Sequence, residues 1–233
     1  IMITIPKRGR LGNAIFRNCA ASILSKKFDI KVEKYLNNNE LQILRPKFYT
    51  GGVKVYDAQV QVSYPKLAHI LQKDNIDYGL NLMCPCQDAN FVLNYKNEIL
   101  SQFDLKYNQR HKDDLFVHVR LGDCIGKNRV ISADYYVKAI EQTQFDKGYI
   151  SSDTPSHEIV THLMSRFNLT LYENTPAETI NFAKDFGNLV LSKGTFSWWM
   201  GFLSKAGSIF YPKGGPRWHG DIFVFDEWKP IQF

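Results

Sequence analysis

Four short runs in the chain carry side chains able to grip a phosphorylated ligand. The first is His118-Val119-Arg120-Leu121-Gly122-Asp123, which closes the apolar run Leu115-Phe116-Val117. On a strand, period-two alternation sets His118 and Arg120 on one face. Arginine keeps its charge and offers a fixed fork of donors that suits a diphosphate. Gly122 lets the chain turn away, and Asp123 can orient Arg120 or His118. The same residues also suit a structural Arg–Asp pair beside a core histidine. The second run is Ser192-Lys193-Gly194-Thr195-Phe196-Ser197-Trp198-Trp199. Here a glycine turns the chain and hydroxyls sit at a helix start, where free N–H groups and the helix dipole favour phosphate. Trp198 and Trp199 read as core packing. The third run, Ser151-Ser152-Asp153, puts a carboxylate at a strand end, where it can accept from a base or ribose, or cap a turn or helix. The fourth, Gly9-Arg10-Leu11-Gly12-Asn13, lets backbone approach a ligand, or makes a tight strand-to-helix turn. It lacks the spacing of a dinucleotide fingerprint or a P-loop.

The elements that position these runs alternate between strand and helix. Met2–Ile5 reads as a strand, and Leu11, Ile15, Cys19 and Ile23 recur every four residues, as on a helix face packed on a sheet. Asn37-Asn38-Asn39 and Gly51-Gly52 mark turns, and Val53–Tyr56 suggests a strand. Leu115–Val119 is apolar enough to be buried on both faces, as parallel strands are. Ser132 can cap a helix over 133–143, and Tyr149–Ser151 is a strand. Thr154-Pro155 reads as a cap and first turn of a helix with Ile159, Leu163 and Phe167 inward. Thr175-Pro176-Ala177-Glu178 is a capping box opening a helix to about Phe186. Leu189–Leu191 and Ser208–Tyr211 are strands around a helix from Phe196 to Ser204. Such alternation specifies an α/β fold with mainly parallel sheets. Ligands of these folds bind at the C-terminal ends of strands, where all four runs lie.

Size and composition fit that reading. The 233 residues can bury a sizeable core, in one large domain or two small ones. Hydrophobic residues at 44% and charged residues at 22% are ordinary for a soluble globular protein. No apolar run approaches the ~20 residues of a membrane helix. Ile1–Pro6 is too short and too β-branched for a signal peptide, and a first residue other than Met fits a piece of a longer chain. Twenty-nine basic against 23 acidic residues leave +6, which favours an anionic partner. The basic residues are dispersed, without a stripe or a nucleic-acid signature, so nucleic acid is not expected. Four cysteines, with Cys84-Pro85-Cys86 one residue apart, form no metal-ligand set and read as reduced, in a cytoplasmic protein.

Taken together, the runs resemble the α-1,2-fucosyltransferase family and its α-1,6- and protein O-fucosyltransferase relatives. GRLGNAIFR resembles that family's opening GRLGNQLFQ, HVRLGD its HxRxGD, and GTFSWW its STFSWW. ISSD follows a helix bearing Tyr135-Tyr136 as in the family, and Tyr211-Pro212-Lys213 through Trp218, Asp221 and Trp228 is similar to its tail. The resemblance implies a GT-B-type α/β fold of two Rossmann-like lobes, 1–108 on the acceptor side and 109–233 holding the nucleotide sugar. It implies an inverting glycosyltransferase that moves L-fucose from GDP-fucose to a glycan hydroxyl without a metal or other cofactor. No Asp-x-Asp occurs in the chain. His118, Arg120, Asp123 and Asn13 are the implied catalytic set. Gly9, Arg10, Gly12, Ser152, Asp153, Glu178, Gly194, Thr195, Phe196 and Ser197, with Arg120, are the implied donor-binding set; Glu178 also has its capping role. Leu121, Cys124, Thr154 and Ala14 depart from the family pattern. The departures keep UDP- or dTDP-L-rhamnose open as the donor. An inactive nucleotide-sugar or glycan-binding module is the reading from another class.

Overall fold

The computed structural model describes residues 1–36, 39–63, 66–214 and 221–233. The turn expected at Asn37-Asn38 and the tail residue Trp218 lie outside them. The chain divides into two compact units. Unit 1 takes Ile1–Leu105 together with Arg217–Val224, of which 221–224 are described, and unit 2 takes Lys106–Pro216 and Phe225–Phe233. Gly214-Gly215-Pro216 immediately precedes that return in the sequence.

Unit 1 holds three short parallel strands, β1 (Ile3–Thr4), β2 (Gln59–Gln61) and β3 (Gly79–Asn81), in the order β1-β3-β2. Helix α1 (Leu11–Phe28) is buried on most of its circumference, beyond the stripe of Leu11, Ile15, Cys19 and Ile23. Its buried polar groups therefore need partners. Asn18 exchanges two hydrogen bonds with the backbone of Leu36. Ser22 accepts from Tyr49 N–H, and Ser25 donates to the Ile30 carbonyl. Short helices α2 (Asn39–Ile43), α3 (Lys66–Leu71), α4 (Ala89–Asn94) and α5 (Lys96–Leu100) complete the unit. Val53–Tyr56 forms no strand; only Lys54 makes an isolated bridge, to Ile30. Its alternation reflects exposure, since Val53 and Val55 are both exposed large hydrophobics with no sheet face to bury them.

Unit 2 is a six-stranded sheet with every pairing parallel. Its strands are β4 (His111–Val119), β5 (Gly148–Ser152), β6 (Thr170–Leu171), β7 (Phe186–Val190), β8 (Ser208–Lys213) and β9 (Lys229–Gln232). Their order is β6-β5-β4-β7-β8-β9, which in chain order is 3-2-1-4-5-6, that of a dinucleotide-binding Rossmann sheet. The last six residues of β4 are buried, as their apolar run requires. Helices α6 (Gly122–Ile125), α7 (Ala133–Glu141), α8 (Glu158–Phe167), α9 (Pro176–Ala183) and α10 (Thr195–Phe202) cover the sheet. Leu115, Val117, Val119, Tyr135, Tyr136, Ile150, Val160 and Leu163 form one continuous core. Trp198 and Trp199 are wholly buried, and Trp198 stacks on Phe202 at 4.5 Å, so both are packing residues.

Two local expectations change. The helix after β5 begins at Glu158, capped by His157, whose Nδ1 accepts from Ile159 N–H. Thr154 instead belongs to a turn and donates its N–H to Ser152 Oγ, so hydroxyl chemistry local to the turn outcompetes helix initiation there. Ser132 does sit at the start of α7 in extended conformation, but its side chain makes no capping bond. Thr175 and Glu178 form the capping box of α9 as expected.

Candidate functional site

The strand order places a topological switch point between β4 and β7, which are hydrogen-bonded neighbours with Val117 opposite Val190. The chain leaving β4 moves on to β5, on one side. The chain leaving β7 moves on to β8, on the other. Loops that diverge in this way open a crevice at the carboxyl ends of the strands. The two loops here are His118–Asp123 and Ser192–Ser197, the strongest runs in the sequence.

One serine joins them. Ser192 is wholly buried, and its Oγ accepts from Arg120 N–H at 3.2 Å and from Tyr136 O–H at 3.0 Å. The Ser192 N–H donates to Ser197 Oγ at 2.8 Å, and Ser197 Oγ lies 2.6 Å from His118 Nδ1. Tyr135 O–H donates to the Leu191 carbonyl at 2.6 Å. Strand β4, the end of β7, the first turn of α10 and the tyrosine pair of α7 are thus fastened into one buried polar network. Such a network rigidifies its surroundings when every member is satisfied. Sequence reasoning missed Ser192 as a site residue. The available signal was a hydroxyl directly after the apolar run Leu189-Val190-Leu191.

Arg120 is oriented rather than buried. Its Nε and one terminal nitrogen clamp the Asp123 carboxylate, with three contacts between 2.9 and 3.2 Å. The side chains of Arg120 and Asp123 keep 31% and 32% of their surfaces exposed, so the charge is available to a ligand. The other terminal nitrogen lies against Gly194, where a Cβ would sit 2.3 Å from it. Gly194 has φ +103, a conformation that disfavours side chains, and is the residue that starts α10. The backbone turn and the arginine therefore need glycine at one and the same place.

Asp153 shapes the loop. Its Oδ1 accepts from Leu121 N–H at 2.8 Å and Gly122 N–H at 3.0 Å, the start of α6. A Cβ on Gly122 would come 2.3 Å from Asp153 Oδ2, so glycine lets the carboxylate close on the turn. Ser152 stands beside Val119 in register and closes the Thr154 turn. Leu121 is fully buried in the core.

His118 is 5% exposed, and its ring edge meets Phe196 at 5.0 Å. Burial pushes its pKa down to about 4; Asp153 opposes this and Arg120 adds to it. The imidazole is therefore neutral at pH 7. The unfolded chain takes up this proton near pH 6.5, the folded protein only near about 4. The neutral ring's contribution is complete above pH 6.5 and is lost as pH falls toward 4, on the order of a few kcal/mol. Urea unfolding at pH 7 and pH 4.5 should show this loss in the wild type and a smaller one in His118→Leu. An unchanged pH slope in the variant would assign the loss to other groups.

Glu178 is committed to the capping box, with its carboxylate on Thr175 N–H and Oγ. Gly9, Arg10, Gly12 and Asn13 belong to unit 1, at the start of α1. Gly9 has φ +79, and a Cβ there would meet Asn13 Nδ2 at 2.5 Å. Asn13 Oδ1 accepts from Gln87 Nε2 at 2.8 Å. Arg17, nearly buried, donates from Nε to the Cys84 carbonyl at 3.0 Å and from its guanidinium to the Arg8 carbonyl. Gln87 and Arg17, neither singled out from sequence, thus brace this loop. No helix among the described residues is long and apolar enough to cross a membrane.

No protein-family model and no curated protein matches the chain. Among solved structures, the chain is similar to NodZ α-1,6-fucosyltransferase soaked with GDP-fucose. The match has a TM-score of 0.53 and covers 87% of this chain and 92% of that one, at 10% identity. At that identity the likeness concerns architecture. The chain accordingly has the α/β, GT-B-type fold of that fucosyltransferase, with parallel sheets in both units.

Proposed function

We propose that the chain is a glycosyltransferase of the fucosyltransferase kind, using a nucleotide-diphosphate sugar. The observation that carries this reading is the partly exposed Arg120 guanidinium, held by Asp123 and Gly194 at the switch point of a Rossmann sheet. The motif resemblance and the GDP-fucose-soaked structural relative support GDP-fucose as donor and a glycan hydroxyl as acceptor. The rhamnose reading is favoured by the departures at Leu121, Cys124, Thr154 and Ala14. Leu121, however, is buried in the core, which removes it from donor contact and weakens that argument.

In this mechanism an acceptor hydroxyl displaces the nucleoside diphosphate at the anomeric carbon with inversion. Negative charge grows on the leaving β-phosphate, and Arg120 meets it without reorganising. Thr195, at the positive end of α10, lines the phosphate side, while Ser197, wholly buried on Ser192 and His118, fixes that turn from behind. Ser152 and Asp153 set the nucleoside side; Asp153 acts chiefly by holding the Leu121–Gly122 turn. His118 is a positioning residue, because a base with a pKa about 4 and one ring nitrogen on Ser197 is poorly matched to proton abstraction at pH 7. Gly9, Arg10, Gly12 and Asn13 keep the roles that their motif implies. No step requires a metal or other cofactor in this proposal, in keeping with the missing Asp-x-Asp.

A thermal-shift screen with GDP, UDP, dTDP and their sugars tests the donor. A ligand at 100 times its Kd stabilises the native state by about 2.7 kcal/mol. GDP and GDP-fucose are expected to raise Tm, with fucose transfer following in a glycan-acceptor assay. Stabilisation by UDP- or dTDP-rhamnose alone would select the second reading. Binding without transfer or hydrolysis would leave a nucleotide-sugar-binding module.

A further inference from the structure

We propose that Cys84 and Cys86 form an oxidisable dithiol, which a peroxide closes to a disulfide, loosening the loop that opens α1. The proposal stands apart from the transfer reading and concerns unit 1 alone. The two sulfur atoms are 3.6 Å apart across Pro85, with the Cys86 S–H also directed at the Cys84 carbonyl. All four cysteines of the chain are free and buried, and this is the one pair of thiols in contact among the described residues.

The chemistry of the two sulfurs differs. The hydrogen bond from Cys86 lowers the Cys84 thiol pKa, burial opposes this, and the Arg17 charge helps it. Cys86 moves the other way, raised by the same bond and by burial. One sulfur is thus the better thiolate and the other stays protonated, the division of labour of an attacking and a resolving cysteine. Cys84 keeps 7% of its surface exposed against 1% for Cys86, so a small oxidant meets Cys84 first. Its thiolate attacks one peroxide oxygen, the O–O bond breaks, and a sulfenic acid and hydroxide result. The Cys86 thiol then attacks the Cys84 sulfur, the S–S bond forms, and water leaves. The dithiol loses two electrons and the peroxide gains them.

The structural consequence follows from what residues 84–87 hold. The Cys84 carbonyl accepts from Arg17, which in turn holds the Arg8 carbonyl. Gln87 holds Asn13. The loop from Arg8 to Asn13 is therefore tied at both ends to the segment that carries the dithiol. A disulfide needs its sulfurs at about 2.05 Å, so closure draws them together from 3.6 Å. Cys86 already sits at φ 59, in the left-handed region, which leaves its backbone little room to accommodate the pull locally. The movement passes to Cys84 and Gln87, and both ties slacken.

The full chain treated with hydrogen peroxide under native conditions, then alkylated and mapped by mass spectrometry, tests this. The expected result is loss of two of the four thiols, a mass lower by two hydrogens, and a bond mapped to Cys84–Cys86 that dithiothreitol reverses. Amide hydrogen exchange over residues 8–13 should rise severalfold on oxidation and return on reduction. In Cys86→Ser, dimedone should trap a sulfenic acid at Cys84; in Cys84→Ser, no labelling at Cys86 should appear. Retention of all four thiols, or pairing through Cys19 or Cys124, overturns the dithiol. Sulfenic acid at Cys86 overturns the assignment of attacker. A disulfide with unchanged exchange over 8–13 overturns its coupling to the loop.

Discussion

Arg120→Ala is expected to lower sugar transfer by about 10²–10³-fold, the loss seen when one preorganised donor to a developing oxyanion is removed. The effect should fall on kcat more than on donor KM, because the diphosphate carries most of its extra charge only as the glycosidic bond breaks. The protein should remain folded. Arg120 and Asp123 are both about a third exposed, so their pair contributes at most about 1 kcal/mol to stability. Asp123 keeps Lys127 at 3.8 Å when the arginine is gone. Arg120→Lys retains the charge but loses the fork that clamps Asp123, and should recover only part of the activity. A folded Arg120→Ala protein with near-normal turnover would remove Arg120 from the mechanism.

The second large effect is expected at a residue with no side chain. In Gly194→Ala the new Cβ would meet the Arg120 terminal nitrogen at 2.3 Å, from a backbone held at φ +103. The strained backbone costs on the order of 1–3 kcal/mol, several degrees of Tm for a chain of this length. The guanidinium must also move by about an ångström, and displacement of that size costs about 10²-fold in rate. The two losses are separable. If alanine acts on activity through Arg120, Gly194→Ala should add little to the transfer defect of Arg120→Ala, while its Tm penalty persists. Fully additive rate losses would show that Gly194 acts by another route.

These two residues also show how much of the site the sequence makes legible. Arg120 is readable because a charged residue directly after an apolar strand has few structural reasons to be there. Gly194 is readable as a turn, but its second reason, making room for Arg120, depends on two loops 70-odd residues apart meeting at the switch point. Ser192 fails to stand out for the same reason: its partners Arg120 and Tyr136 arrive from other elements. The alternation of strands and helices in unit 2 is strongly patterned and follows the chain closely. Unit 1 is less so, because its strands are two or three residues long and α1 is buried nearly all round, which erases the period that marks a half-exposed helix. Thr154-Pro155 carries the signature of a helix start, yet the Ser152 hydroxyl captures the Thr154 N–H and delays the helix to Glu158.

The return of residues 221–224 to unit 1 before β9 completes the six-stranded sheet has a practical meaning for dissection of the protein. Neither unit is a single stretch of gene. A cut at 105/106 would give a C-terminal piece carrying Ile222 and Phe223, which are only 4% and 5% exposed in the whole protein, without the unit they pack with. That piece would display fresh apolar surface and tend to self-associate. A cut before Arg217 would spare it that surface but remove β9, leaving β8 as an unpaired edge, itself a template for aggregation. Unit 2 is thus best studied inside the whole chain, with the excursion and the last strand both kept.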